Sequence, residues 1–179
     1  MNSERYQEMK TFLSFDATDI ANLAAVAEVV KKHGKRITDE FYETLGATPK
    51  TAAVIEGRID KLKATHTKWM LALVTDDFGD AWFDYQRHIG QVHVREDIPP
   101  FFVELTFSLL RTKVAQAIAH EVTDAERACH LAQSVIKALD MALALVNEAY
   151  GEERLDRLTK FTGFSRKLIE NCINRRPRA

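Results

Sequence analysis

The stretch YQRHIGQVHVREDIPPFF, residues 85–102, carries two histidines, His88 and His93, on one helical segment and then breaks that segment at Pro99-Pro100. Trp82, Gln86, Ile89 and His93 recur at steps of four and three, so they share a helix face, and His88 lies off that line. An inward imidazole can bind a metal through one ring nitrogen, or it can sit in a core bonded to a neighbour. Spacing alone leaves both readings open for His93. The preceding segment, GRIDKLKATHTKWMLALVT, has Ile59, Leu62, His66, Trp69 and Leu73 on one stripe with Thr65 beside it. His66 thus occupies a place where an apolar residue would be ordinary.

Other chemistries lack their residues. Serine and cysteine hydrolase signatures, a phosphate-cradling glycine loop, CxxC pairs and HExxH are absent, so no enzyme active site is visible. A di-iron bundle needs Glu-x-x-His pairs, and none of His33, His66, His88, His93, His120 and His130 has a glutamate three residues earlier. An inward imidazole facing a helix with polar inward groups of its own suits a flat apolar cofactor held between two helices, with iron on one neutral imidazole.

The elements that must position these residues are helices. Glycine and proline are scarce, and the segments between them repeat by threes and fours, which predicts an all-α fold. Asp16 or Thr18 caps a helix that Gly34 ends, a second helix runs to Gly46, and Pro49 opens a short third. Pro99-Pro100 opens a long apolar helix, and Thr123-Asp124 caps the last one. That last helix has one apolar stripe at Ala128, Leu131, Val135, Leu139, Ala142 and Val146, and another at Ile136, Leu143 and Leu145. Two faces suggest either a helix-mediated homodimer or full burial within one chain. Gly151 and Gly163 flank a polar stretch, so residues 1–150 read as the domain and 151–179 as a helical connector or tail.

A chain of 179 residues accommodates one well-buried domain, and 46% hydrophobic residues place it in the globular class. Lys+Arg 25 against Asp+Glu 26 points to neither a nucleic-acid nor a membrane partner, and the basic end NRRPRA reads as a solvated tail. No run of ~20 apolar residues and no signal peptide is evident, which predicts a cytoplasmic protein. Cys129 and Cys172, with no paired spacing, read as reduced packing residues.

The residues DEFYETLGATP, IDKLKAT followed by Trp69, and IGQVHVR with IPPFFVE after it resemble, in order and spacing, the haem domain of globin-coupled sensors, bacterial oxygen-sensing globins. The resemblance covers roughly residues 12–150, and IGxxHxR followed by Ile-Pro is its specific part. It implies a globin-like fold with haem b (iron protoporphyrin IX) between two helices and the long C-terminal helices forming a dimer interface. It further implies a sensor of O2, with CO or NO as other gaseous ligands, relayed to a signalling output. On the same basis His93 is the proximal iron ligand, Tyr42 the distal tyrosine that serves the gas, and Leu62 and Thr65 distal tuning residues. His66, Trp69 and Ile89 join the cofactor-binding set, with His66 either a second axial ligand or a bonded inward histidine. Arg95 matches the arginine two residues past the ligand and is expected to meet a haem propionate. One departure is that Glu96-Asp97 stands where the family often has Ile-Gly. The alternative reading is a haem-free globin-like interaction module of a stress-signalling scaffold.

Overall fold

The computed structural model describes residues 3–175, and every regular element among them is helical. The helices are α1 (Ser3–Phe12), α2 (Ala17–Ala47), α3 (Pro49–Ile55), α4 (Ile59–Thr75), α5 (Asp80–Arg95), α6 (Pro100–Glu121), α7 (Ala125–Thr162) and α8 (Arg166–Asn174). Most of the basic tail, residues 176–179, lies outside the described residues.

Local chemistry explains four of the starts. Asp16 accepts from the amides of Thr18 and Asp19 at 2.7 and 3.3 Å, while the Asp16 amide donates to Asp19 at 3.2 Å, a reciprocal cap on α2. Pro49 and Pro100 stand at first-turn positions that need no amide donor. Asp124 accepts from the amide of Arg127 at 3.1 Å and opens α7.

Two expected boundaries are absent. α2 runs unbroken through Gly34, because Val30, Ile37 and Thr38 on either side are buried and their packing outweighs one weak helix former. α7 likewise passes Gly151 and ends at Thr162, where Gly163 takes the left-handed conformation at φ 71°. The limit expected at residue 150 therefore falls within a continuous helix.

α5 and α6 pack on α7, and α2 packs on α4, α6 and α7. The first stripe of α7 is buried in full, but the second divides: Leu145 is core, Leu143 is half-buried and Ile136 is 37% exposed. α7 contains a stretch long and apolar enough to cross a membrane by length and composition alone, and half of it is buried within the domain. Ile59, expected on the inward stripe of α4, is exposed at its first position. Cys129 and Cys172 are exposed free thiols, not packing residues, since both lie on outward helix faces.

Gly90 sets how closely α5 approaches α7. A Cβ there would lie 2.7 Å from the Val146 carbonyl oxygen and 2.7 Å from the Ala149 Cβ. Only glycine allows this crossing without moving backbone. At the other end of α5, the buried Phe78 takes φ 57°, and its carbonyl accepts from the Tyr6 hydroxyl at 2.9 Å and from the Lys10 ammonium. α1 thereby ties down the connection between α4 and α5.

Candidate functional site

α2, α3, α4, α5 and α6, with Val146 of α7, line a partly open cavity of about 440 Å³. That volume lies in the range of small-molecule and cofactor sites, ~300–1,000 Å³. Its walls are mainly apolar: Phe41, Leu45, Val54 and Leu62 on one side, Ile89, Val92 and Ile98 on the other, and Phe102, Phe107 and Leu110 from α6.

His93 lines the α5 wall, and its Nδ1 lies 2.8 Å from the Ile89 carbonyl oxygen. A carbonyl only accepts, so Nδ1 carries the ring proton and Nε2 keeps the lone pair. Burial lowers the His93 pKa, against smaller upward pulls from the Ile89 carbonyl and the Glu96 carboxylate. The ring is therefore neutral, with its free nitrogen suited to a metal.

Tyr42 of α2 and His66 of α4 line the same cavity. The Tyr42 ring is 9% exposed, and burial pushes its hydroxyl up to about 12, so it remains a donor at neutral pH. Its ring meets His66 edge-on, with centroids 5.9 Å apart. His66 stacks on Phe41 at 4.5 Å, and burial pushes its pKa down to about 4. Its Nδ1 lies 2.9 Å from the Thr38 hydroxyl, while its Nε2 is buried without a hydrogen-bond partner.

Thr38 is 1% exposed, so its hydroxyl proton needs an acceptor inside the protein. His66 Nδ1 at 2.9 Å is a far better one than the Met70 sulfur at 3.8 Å. Donation from Thr38 places the His66 proton on Nε2. Sequence reasoning missed Thr38, although it stands four residues before Tyr42 on the same face of α2.

The other expected residues divide. Trp69 is buried, and its Nε1 donates to Gln86 Oε1 at 3.0 Å, a brace between the two walls. Leu62 and Ile89 line the cavity, as does Thr65, whose hydroxyl donates to its own helix at the Lys61 carbonyl, 3.0 Å away. Arg95 is exposed and outside the cavity, because two helical residues turn it ~200° from His93. The cations at the cavity are Lys50 and Arg58, with His88 also on the lining despite its offset. Arg58 donates to the Val54 carbonyl at 2.9 Å and pairs with Glu96 at 2.5 Å.

A neutral ring nitrogen, O–H and N–H donors, apolar surroundings and two cations lining one cavity are a set of groups that fits haem, the cofactor the resemblance implies. The unpartnered Nε2 of His66 is itself a buried polar atom awaiting a partner.

The architecture is a globin fold. A globin domain from a Geobacter sulfurreducens globin-coupled sensor superposes with a TM-score of 0.77 at 25% identity, covering 80% of this chain and 96% of that one. The globin domain of Escherichia coli DosC matches in its ferric form I with a TM-score of 0.69 at 20% identity, covering 80% and 97% of the two chains. Its ferrous form II matches with 0.70 at 19%, covering 82% and 99%. Residues 2–156 match the Protoglobin family, and the chain belongs to it. No curated protein matches the sequence.

Proposed function

We propose that the chain is a haem-based gas sensor domain that binds haem b through His93, responds to O2, and relays its ligation state to a signalling output. The observation that carries this reading is that His93, Tyr42 and His66, from three different helices, line one mainly apolar cavity, with the His93 proton held on Nδ1. The similar domain from a globin-coupled sensor supports it. A haem-free interaction module has no use for such a cavity lined by two neutral imidazoles.

When bound, haem supplies an iron that takes diatomic gases reversibly. The chain's residues do the rest. Ile89 orients the His93 ring, and the apolar walls exclude water. Tyr42 and His66 hold O–H and N–H donors on the distal side, where a ligand gaining negative charge is stabilised by a charge-assisted bond of ~1.5–3 kcal/mol. Lys50 and Arg58 line the cavity and are the cations we assign to the propionates, with Arg95, exposed and off the lining, left for the solvent side.

Movement of His93 displaces α5, and the close Gly90 contact passes that displacement to Val146 and Ala149 of α7. We assign residues 1–150 to the sensor and 151–179 to the connection onward. The chain is a cytoplasmic binding domain without catalysis of its own, and a homodimer through α6 and α7. The outward Phe101, Leu105 and Ile136, exposed by 62%, 49% and 37%, support that interface.

An absorption spectrum of the purified protein, with and without dithionite and CO, tests the assignment. A Soret band that shifts on reduction and with CO is expected, and haem content by pyridine haemochrome should collapse in His93→Ala and persist in His88→Ala. Equal haem in wild type and His93→Ala overturns the ligand, and a monomer by light scattering at micromolar concentration overturns the dimer.

A further inference from the structure

We propose that His33, His120 and Glu121 form a second metal site, at the surface, for a borderline divalent cation of the zinc class. The site is separate from the cavity, and His33, His120 and Glu121 are absent from the cavity lining. One potential ligand atom from each of the three lies within 4.8 Å of the others. His33 Nε2 is 2.7 Å and His120 Nδ1 is 3.1 Å from the same carboxylate oxygen, Glu121 Oε1.

Two imidazoles and a carboxylate are a zinc-type donor set, and a fourth position stays open to water. Bonds of ~2.0–2.2 Å in a tetrahedron put ligand atoms ~3.3–3.5 Å apart. The two nitrogens already surround Oε1 at close to that spacing, so an ion replaces the two N···O contacts with only a slight opening of the cluster.

Position and charge favour a cation. His120 and Glu121 are the last two residues of α6, where unpaired helix carbonyls give a negative potential. Lys32 binds the other carboxylate oxygen, Oε2, at 2.8 Å. It therefore steers Oε1 toward the two histidines, although its charge weakens the site. His33 is half-buried midway along α2, and the His120 ring meets it at 5.9 Å. An ion here clasps α2, the helix of Thr38 and Tyr42, to the end of α6.

Hard cations are a contrasting case. Magnesium prefers an octahedron of oxygens, and this cluster offers one carboxylate.

Isothermal titration of the purified full chain with ZnCl2 and, separately, MgCl2 tests the proposal. One equivalent of zinc should bind and magnesium should give no heat. Zinc affinity should fall at least tenfold in each of His33→Ala, His120→Ala and Glu121→Gln, and stay unchanged in His66→Leu, which removes a cavity imidazole. His120 is exposed, so His120→Ala remains decisive even if His33→Ala folds poorly. Absence of zinc binding, binding that survives both His120→Ala and Glu121→Gln, or binding lost in His66→Leu overturns the site.

Discussion

The amide of Ile98 donates to the carbonyl of His93 at 3.0 Å, so the chain folds back onto the residue that faces the cavity. The Asp97 amide donates to the Val94 carbonyl at 3.2 Å, and together the two bonds form a Schellman turn at the end of α5. The Tyr150 hydroxyl donates to the Ile98 carbonyl at 2.7 Å and ties this corner to α7. The turn requires a left-handed residue, and Asp97 supplies it at φ 51°.

Asp97 fills a position where the family resemblance leads one to expect glycine. Asp97→Gly should therefore stabilise the protein by about 0.5–1 kcal/mol, a gain of ~1–4 °C in Tm for a domain of this size. The lost pairing with Arg157, at 3.6 Å and exposed, subtracts little. Asp97→Val should destabilise by about 1–2 kcal/mol. Thermal melts of the pair check this, and a Tm order of Val above Gly refutes the strain.

Gly90→Ala should destabilise by about 1–3 kcal/mol, because the new methyl meets the Val146 backbone, which cannot rotate away. α5 must shift, and His93 is carried with it. Faster haem loss to an apo-globin scavenger, relative to wild type, is the expected companion effect. A variant with wild-type Tm and wild-type haem retention shows that α5 and α7 are not fixed at this crossing.

Much of this was legible in the sequence where the determinants are local. Asp16, Asp124 and Pro100 mark helix starts through capping and amide chemistry within one turn, and the periodicity placed His93 inward beside Ile89. Family resemblance supplied the haem reading and pointed to Tyr42, which lines the same cavity as His93. What failed depends on contacts distant in sequence. Nothing near Thr38 foretells His66 as its partner, and Gly34 reads as a stop until the burial of Ile37 is known. Arg95 follows the motif, yet helix geometry turns it outward and leaves Lys50 and Arg58, from other elements, beside the cavity.

Gly34 also yields a direct test of the uninterrupted α2. A Cβ there touches only Val30 Cγ1, at an ordinary 3.6 Å. Gly34→Ala should then stabilise by about 0.5–1 kcal/mol through helix propensity, measured by urea denaturation. Destabilisation argues for a bend or break at this point.

The His66 imidazole gives the haem-free chain a specific pH dependence. Its pKa falls from 6.5 to about 4 on folding because burial opposes the charge. The unfolded chain therefore binds more protons between those values, and stability contributed by neutral His66 is present above pH 6.5 and lost progressively toward pH 4. The loss is on the order of 1–3 kcal/mol. Urea denaturation between pH 4 and 7 should show a shallower slope in His66→Leu than in wild type. Identical slopes mean that His66 is solvated.

The donor roles proposed for Tyr42 and His66 are separable by gas kinetics. Tyr42→Phe keeps the ring and removes only the hydroxyl, so haem binding should survive while O2 release accelerates about ten- to a hundredfold, the equivalent of one charge-assisted bond. CO, which carries less negative charge when bound, should leave at nearly the wild-type rate. Thr38→Val keeps the shape but removes the hydroxyl that directs the His66 proton to Nε2, so it should alter O2 release through His66 without touching the ligand. Thr65→Ala should have little effect, since the Thr65 hydroxyl is committed to the Lys61 carbonyl. Stopped-flow release from wild type, Tyr42→Phe, Thr38→Val, Thr65→Ala and His66→Leu distinguishes these roles. If Tyr42→Phe leaves O2 release unchanged while Thr38→Val and His66→Leu both accelerate it, His66 is the principal donor and Tyr42 a wall of the pocket.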